Sequence, residues 1–300
     1  MSDGFITADG GVRLFFQTAG SGGQTALIPN GIYLFDDFKR LADGRTLVFY
    51  DVRNRGRSDT IADPLKLERG ILNDIDDMEA VRRHFGIDQV DLVGHSYMGL
   101  MVGLYAMKHP AHVNRMVQIG PMQPYAYRQY PPHLKYVDAT TGEVFSTLGQ
   151  MQKEGLTGIP EEICRKFSAV LARLCVFNPA DAHKIDWGRC ELPNESGFMR
   201  YWMGSLMPSI QRLQISAEEA AKVKAPALIV HGDKDRNAAY GGGRDWALLW
   251  PNAKLLTVPD AAHAPWIEDP ELVLGGIRTF LEGDWPEKSQ KVTQLEPEAG

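Results

Sequence analysis

The chain has little cysteine, three residues in 300. An odd number spread over Cys164, Cys175 and Cys190 suits neither a disulfide-stapled miniature domain nor a zinc knuckle, so free, mostly buried thiols are expected. Long apolar runs are missing as well: nothing approaches the ~18 consecutive apolar residues of a membrane span. The opening Met1-Ser2-Asp3-Gly4-Phe5 has neither the basic flank nor the apolar stretch of a secretory leader. Both absences point to a cytoplasmic protein without a membrane partner. Positive charge is in the minority: 32 Lys and Arg stand against 38 Asp and Glu, a net charge of −6, with no run of five like charges. A nucleic-acid partner is therefore not expected, and a small or neutral molecule is the better-suited ligand. There is no internal repeat, and the pattern sets no oligomeric state.

With 44% hydrophobic residues, the chain can bury a large core, enough for two domain-sized units or one core carrying an insertion. Residues 5–7 and 12–18 flank Asp9-Gly10-Gly11, a hairpin pattern. Strand patterns at 25–28, 46–50, 90–95 and 113–119 then alternate with helical ones, among them 73–85, which predicts a parallel sheet covered on both faces. From Pro121 to Val223 strand signals vanish and helical stretches at 161–176 and 198–213 dominate. The sheet pattern resumes at 225–230 and 254–258, with helices around 244–249 and over 270–281. The expected organisation is an α/β core of residues 1–120 and 224–283, a helical cap of residues 121–223, and a disordered tail over 284–300. Aromatics and methionines crowd the cap's second half: Trp187, Phe198, Met199, Tyr201, Trp202, Met203, Leu206 and Met207. Most should pack the cap itself, and a minority should line a pocket.

One stretch organises the rest. Val90-Asp91-Leu92-Val93-Gly94-His95-Ser96-Tyr97-Met98-Gly99 reads as a buried strand, a sharp turn and a helix whose apolar face runs through Leu100, Met101, Leu104, Tyr105 and Met107. A serine at such a turn can merely cap the helix. With a strand before it and a helix after it, it is instead lifted into a cleft at the sheet's carboxyl edge, beside the Tyr97 N–H. The second glycine usual in this pattern is replaced by Met98; Gly99 and Gly103, on one helix face, can make room by letting the helix lie close to the sheet. A second strand-to-loop edge, Pro29-Asn30-Gly31-Ile32-Tyr33, offers the Ile32 N–H as a partner donor to Tyr97. The Asn30 amide either holds this loop or reaches a substrate; with Tyr33 and Trp202 it completes the candidate substrate-binding residues. The arginines of Asp51-Val52-Arg53-Asn54-Arg55-Gly56-Arg57-Ser58-Asp59 suit a hydrogen-bonded loop better than a phosphate site.

A serine hydroxyl is a weak nucleophile at neutral pH and needs an imidazole base oriented by a carboxylate. Asp235, in His231-Gly232-Asp233-Lys234-Asp235, and His263, in Asp260-Ala261-Ala262-His263, each follow a strand at its carboxyl end. The chain resembles α/β-hydrolase-fold enzymes, on the Ser96 stretch, on Asn30-Gly31 where that family often has His-Gly, on the Asp51 to Asp59 loop, and on the Asp235 and His263 segments. The resemblance covers residues 5–281, least well in the cap. It implies Ser96 as nucleophile, His263 as general base and acid, Asp235 as orienter, and the N–H groups of Ile32 and Tyr97 as oxyanion hole. It implies no cofactor, and no His/Asp/Glu set has metal-ligand spacing. Asp233 is expected as a turn former, His95 and His231 as satisfied structural residues. Some relatives carry the acid one core strand earlier; Gln118-Ile119-Gly120-Pro121-Met122-Gln123 has no carboxylate.

The activity so implied is cleavage of a small carboxylic ester through an acyl-enzyme. The resemblance extends to proline iminopeptidases, which share a helical cap but have a glycine- and proline-rich oxyanion motif missing here, and cap acids that bind the substrate amine. Glu161, Glu162, Glu191 and Glu195 are candidates for such acids, expected to face solvent. Carbon–carbon bond hydrolases and cofactor-free perhydrolases use the same triad. Dehalogenases and epoxide hydrolases place aspartate at the nucleophile position, which Ser96 argues against. A non-catalytic small-ligand binder on the same fold is the reading from outside enzymes.

Overall fold

The computed structural model describes residues 1–153, 160–185, 189–195 and 198–295. Its eight strands are β1 (Asp3–Thr7), β2 (Arg13–Ala19), β3 (Gln24–Pro29), β4 (Arg45–Tyr50), β5 (Val90–His95), β6 (Val113–Ile119), β7 (Ala227–Gly232) and β8 (Ala253–Val258). They form one sheet in the order β1-β2-β4-β3-β5-β6-β7-β8. The β1/β2 and β2/β4 pairs are antiparallel, and every pair from β4 to β8 is parallel. The inner strands β5 and β7 are buried at every residue, as a sheet covered on both faces requires. One face carries the helices Ile71–His84, Tyr97–Lys108 and Tyr240–Leu249, with Met78, Met101, Tyr105 and Trp246 in its core. The other carries Gly31–Phe38 and Pro270–Glu282, through Phe38, Ile277 and Phe280. From β3 the chain steps outward to β4 and then back to β5 on the other side of β3. The carboxyl ends of β3 and β5 therefore border the crevice where wound sheets bind ligands.

Close approach of the Tyr97–Lys108 helix is real: a Cβ on Gly99 would lie 2.9 Å from Pro121 Cβ, and one on Gly103 3.1 Å from Gln118 Nε2. Gln118 Nε2 donates to Gly99 O at 2.7 Å and locks helix to strand.

Between β6 and β7 the described residues contain no strand, and their longer helices are Ala139–Lys153, Pro160–Cys175 and an unbroken run through Phe198–Tyr201, Trp202–Leu206 and Met207–Gln211. The first of these is not legible in the sequence, because Thr140, Thr141, Gly142 and Gly149 dilute its periodicity; Asp138 Oδ1, accepting from Thr141 N at 3.1 Å, starts it. Trp187 and the side chain of Met199 lie outside the described residues.

Two expectations are corrected. Cys164 and Cys190 are not free thiols but a disulfide, their Cα atoms 5.8 Å apart; only Cys175 is free, and it is buried. The fold brings together two cysteines that are 26 residues apart, which spacing alone does not reveal. The segment after Gly283 does not stand off as a disordered tail either. Gln290 and Leu255 exchange backbone hydrogen bonds of 2.8 Å, Trp285 packs on Phe280 with ring centroids 5.1 Å apart, and Ser289 and Val292 are buried. Residues 296–300 lie outside the described residues. Among the described residues, no helix is long and apolar enough to cross a membrane.

Candidate active site

Ser96 stands between the last residue of β5 and the first of the Tyr97–Lys108 helix, at φ 59° and ψ −124°. A side-chain-bearing residue there stores ~1–3 kcal/mol of strain, which surrounding bonds must hold. They do: Ser96 N donates to Ile119 O at 2.9 Å, and Ser96 O accepts from Gly99 N at 2.9 Å and Met122 N at 3.1 Å. Gly94 is compulsory, since a Cβ would sit 2.3 Å from Met98 O. Met98, in place of the usual glycine, is 1% exposed, and its sulfur accepts from Asn30 Nδ2 at 3.9 Å. The chain's two departures from the pattern it resembles thus touch each other, tying the β3 loop to the turn at Ser96.

The three distant side chains converge. Ser96 Oγ lies 2.8 Å from His263 Nε2, and His263 Nδ1 lies 2.8 Å from Asp235 Oδ2. Asp235 Oδ1 accepts the backbone N–H groups of Asn237 and Ala238, both at 2.8 Å. His231 Nε2 reaches Asp235 Oδ2 at 3.2 Å and Ala238 O at 3.1 Å; a carbonyl can only accept, so Nε2 carries the proton. Burial alone would raise the Asp235 carboxyl. The attraction of His263 and the bonds from both imidazoles outweigh it and hold the group well below the usual carboxylate range. His231 is thus a further partner of the carboxylate and not merely a residue satisfied within the fold; its place four residues before Asp235 is the only local signal of it.

His95, next to the serine, points into the fold and ties the site together. Its Nε2 lies 2.8 Å from His263 O and its Nδ1 3.0 Å from Tyr33 OH. The carbonyl fixes the proton on Nε2. Burial, reinforced by the neighbouring His263, depresses this imidazole well below its ordinary value, so the ring is neutral and Nδ1 accepts the Tyr33 proton. Tyr33, half-buried, is pushed up to about 12 by burial. A donor chain therefore runs from the β3 loop through Tyr33 and His95 to the backbone of His263.

Ile32 is the second residue of the Gly31–Phe38 helix and Tyr97 the first of its own. First-turn N–H groups have no intrahelical acceptor. Asn30, in the left-handed region at φ 69°, is fully buried. Trp202 is half-buried and meets Tyr97 edge to face, with centroids 5.4 Å apart. Tyr97 OH donates to Asp74 Oδ2 at 2.8 Å, and Tyr201 OH reaches Asp74 Oδ1 at 3.3 Å. Burial, with Asp77 nearby, pushes the Asp74 carboxyl up to about 7 despite Arg53.

The arginine loop after β4 is structural, as its flanking acids suggested: Arg53 is bidentate to Asp77, Arg57 to Asp51, and Asp59 holds Arg13. Arg55 reaches into the insert, where Nη2 donates to Glu195 at 2.7 Å. Glu195 is buried, contrary to the solvent-facing expectation, because the fold supplies it with a guanidinium. Glu161 and Glu191 lie beside Arg165 near the surface, and Glu162 is exposed. On the opposite edge of the sheet, Glu79, His109 and His112 offer ligand atoms within 4.8 Å of one another, a grouping that sequence spacing hid. The Glu79 carboxylate there already accepts from Arg82 and Tyr105, at 2.7 Å each, so a cation would meet a guanidinium.

Residues 28–270 match the model of the alpha/beta hydrolase fold family. A proline iminopeptidase from Heyndrickxia coagulans is 22% identical over 93% of this chain and 98% of its own. A non-heme haloperoxidase from Rhodococcus erythropolis is 24% identical over 93% and 99%. An esterase from Rhodococcus sp. ECU1013 superposes with a TM-score of 0.70 at 19% identity, covering 94% of this chain and 99% of that one. The wound sheet, the strained turn at its carboxyl edge and the family match together make this chain a member of the α/β-hydrolase-fold family.

Proposed function

We propose that this hydrolase is a serine esterase acting on a small carboxylic ester. The observation that carries the reading is the unbroken line Ser96 Oγ, His263 Nε2, His263 Nδ1, Asp235 Oδ2, with both links 2.8 Å. Ser96 Oγ attacks the carbonyl carbon while His263 Nε2 takes its proton. The tetrahedral oxyanion forms beside the N–H groups of Ile32 and Tyr97. Collapse breaks the carbon–oxygen bond, and the alcohol leaves with the proton from His263. Water, giving a proton to His263, then attacks the acyl-enzyme, and the acid departs as Ser96 regains its hydrogen. Asp235 stays ionised and stabilises the imidazolium between steps. Residues 121–223 serve as the cap over this edge.

The aminopeptidase alternative has the relative from Heyndrickxia coagulans in its favour. It needs a buried cap carboxylate free to bind an ammonium; Glu195 is spent on Arg55, Glu161 and Glu191 lie beside Arg165, and Glu162 faces solvent. The ester reading is therefore preferred. A fluorophosphonate should leave one adduct, on Ser96, and a panel of esters should be hydrolysed while a proline anilide is not. Turnover of the anilide without the esters refutes this choice, and a folded protein that takes no label supports a binder instead. The Cys164–Cys190 bridge counts against the cytoplasmic location, since such bonds persist in oxidising compartments; we place the working environment there, and thiol counting on protein from its native cells tests it.

A further inference from the structure

We propose that the acyl pocket takes an uncharged aromatic group, so that esters of arenecarboxylic or arylacetic acids are the substrates. The proposal rests on the serine-esterase reading and deepens it. Strand order decides which side of Ser96 holds which half of the substrate. Asp235 and His263 follow β7 and β8, on one side of β5; Tyr33 and Arg55 follow β3 and β4, on the other. His263 delivers the proton to the departing alcohol, so the alcohol lies toward β7 and β8. The acyl group lies toward β3 and β4.

On that side a continuous series of rings and one guanidinium links the turn at Ser96 to the β3 loop. Tyr97 meets Trp202 at 5.4 Å, Trp202 meets Phe198 at 6.0 Å, Phe198 lies 4.2 Å from the Arg55 guanidinium carbon, and that carbon lies 5.6 Å from the Tyr33 ring. The arc starts at the residue after Ser96 and ends at the residue after Ile32. Three of its polar groups are committed elsewhere: Tyr97 OH to Asp74, Tyr33 OH to His95, and the Arg55 fork, through Nε and Nη2, to Glu195. What the arc offers a substrate is chiefly π-surface, edged by an ion pair of no net charge. An aromatic ring gains edge-to-face contact on such a wall. A carboxylate gains little from a guanidinium already neutralised, and loses its water.

Hydrolysis of methyl phenylacetate, methyl butanoate and the monomethyl terephthalate anion tests this, with alcohol and leaving chemistry held constant. kcat/KM for phenylacetate should exceed that for butanoate by roughly tenfold or more, with the terephthalate anion below phenylacetate. Trp202→Leu and, separately, Phe198→Leu should shrink the ratio. Calorimetric binding of the same esters to Ser96→Ala gives a readout that needs no turnover and should show the same order. Butanoate turned over as well as phenylacetate, with no preference in binding, overturns the aromatic pocket and leaves the esterase. Tenfold tighter binding of phenylacetate with no ester turned over by the native protein sinks the esterase reading and keeps the pocket.

Discussion

Replacing Asp235 with asparagine preserves size, and the bonds around the carboxylate dictate the outcome. Oδ1 accepts two backbone N–H groups at 2.8 Å, from Asn237 and Ala238. Those two backbone N–H groups can only donate, whereas His231 Nε2–H keeps Ala238 O as its acceptor and His263 can move its proton, so the asparagine oxygen takes the place of Oδ1. The NH2 then occupies the position of Oδ2, 2.8 Å from His263 Nδ1. Nδ1 must become the acceptor and the imidazole proton moves to Nε2, the atom that has to receive the proton of Ser96. The variant loses its base by tautomer alone, and the imidazolium loses its counter-charge. We expect kcat to fall about 10⁴-fold, or about 5.5 kcal/mol, the scale of such a tautomer error in serine hydrolases. KM should move little, because Asp235 is buried behind His263. Steady-state ester hydrolysis, with thermal unfolding as a check on folding, measures it. A folded Asp235→Asn protein that keeps more than roughly a tenth of native kcat refutes the argument.

Leucine at position 95 breaks the donor chain from Tyr33 to the His263 backbone, and His95→Leu should lower kcat by up to about 10²-fold through misplacement of His263. Glutamine can donate to the same carbonyl and accept from the same phenol, so His95→Gln should recover much of that loss in the same kinetic assay; equal loss in both variants would remove the positioning role. Asp74, pushed up to about 7 in the fold from an ordinary value near 4, favours its protonated form there, so its contribution to stability is full below about pH 4 and is lost as pH rises through 7. Urea unfolding across that window should show a decline of up to about 4 kcal/mol from this group, absent in Asp74→Asn. Removing the Cys164–Cys190 bridge by serine substitution of both should cost about 3 kcal/mol in a two-state urea titration, from the chain entropy its loop restores to the unfolded protein, and an unchanged midpoint would contradict that.

Local grammar made most of the core legible. Short apolar runs bounded by Gly and Pro mark buried strands, and β7, Ala227–Gly232, falls on the run that begins at Ala225. Ser96, Asp235 and His263 were recognisable because each sits in a turn whose glycine or acid has a stereochemical reason. The insert was harder. Its helices pack on one another and on loops of the core rather than on a sheet, so its partners come from far along the chain. That is why Glu195, whose partner lies 140 residues away, read as a solvent-facing acid.

By itself the sequence determined the order of the core's strands and helices, the strained serine turn and the candidate alcohol, imidazole and carboxylate, because these depend on neighbours a few residues apart. Tertiary structure alone decided that Met98 and Asn30 meet, that His231 and His95 both border the Asp235–His263 pair, that Cys164 finds Cys190, and that Arg55 pairs with Glu195 beside Phe198. Such pairings rest on distances between segments, and those are fixed only when the whole core closes.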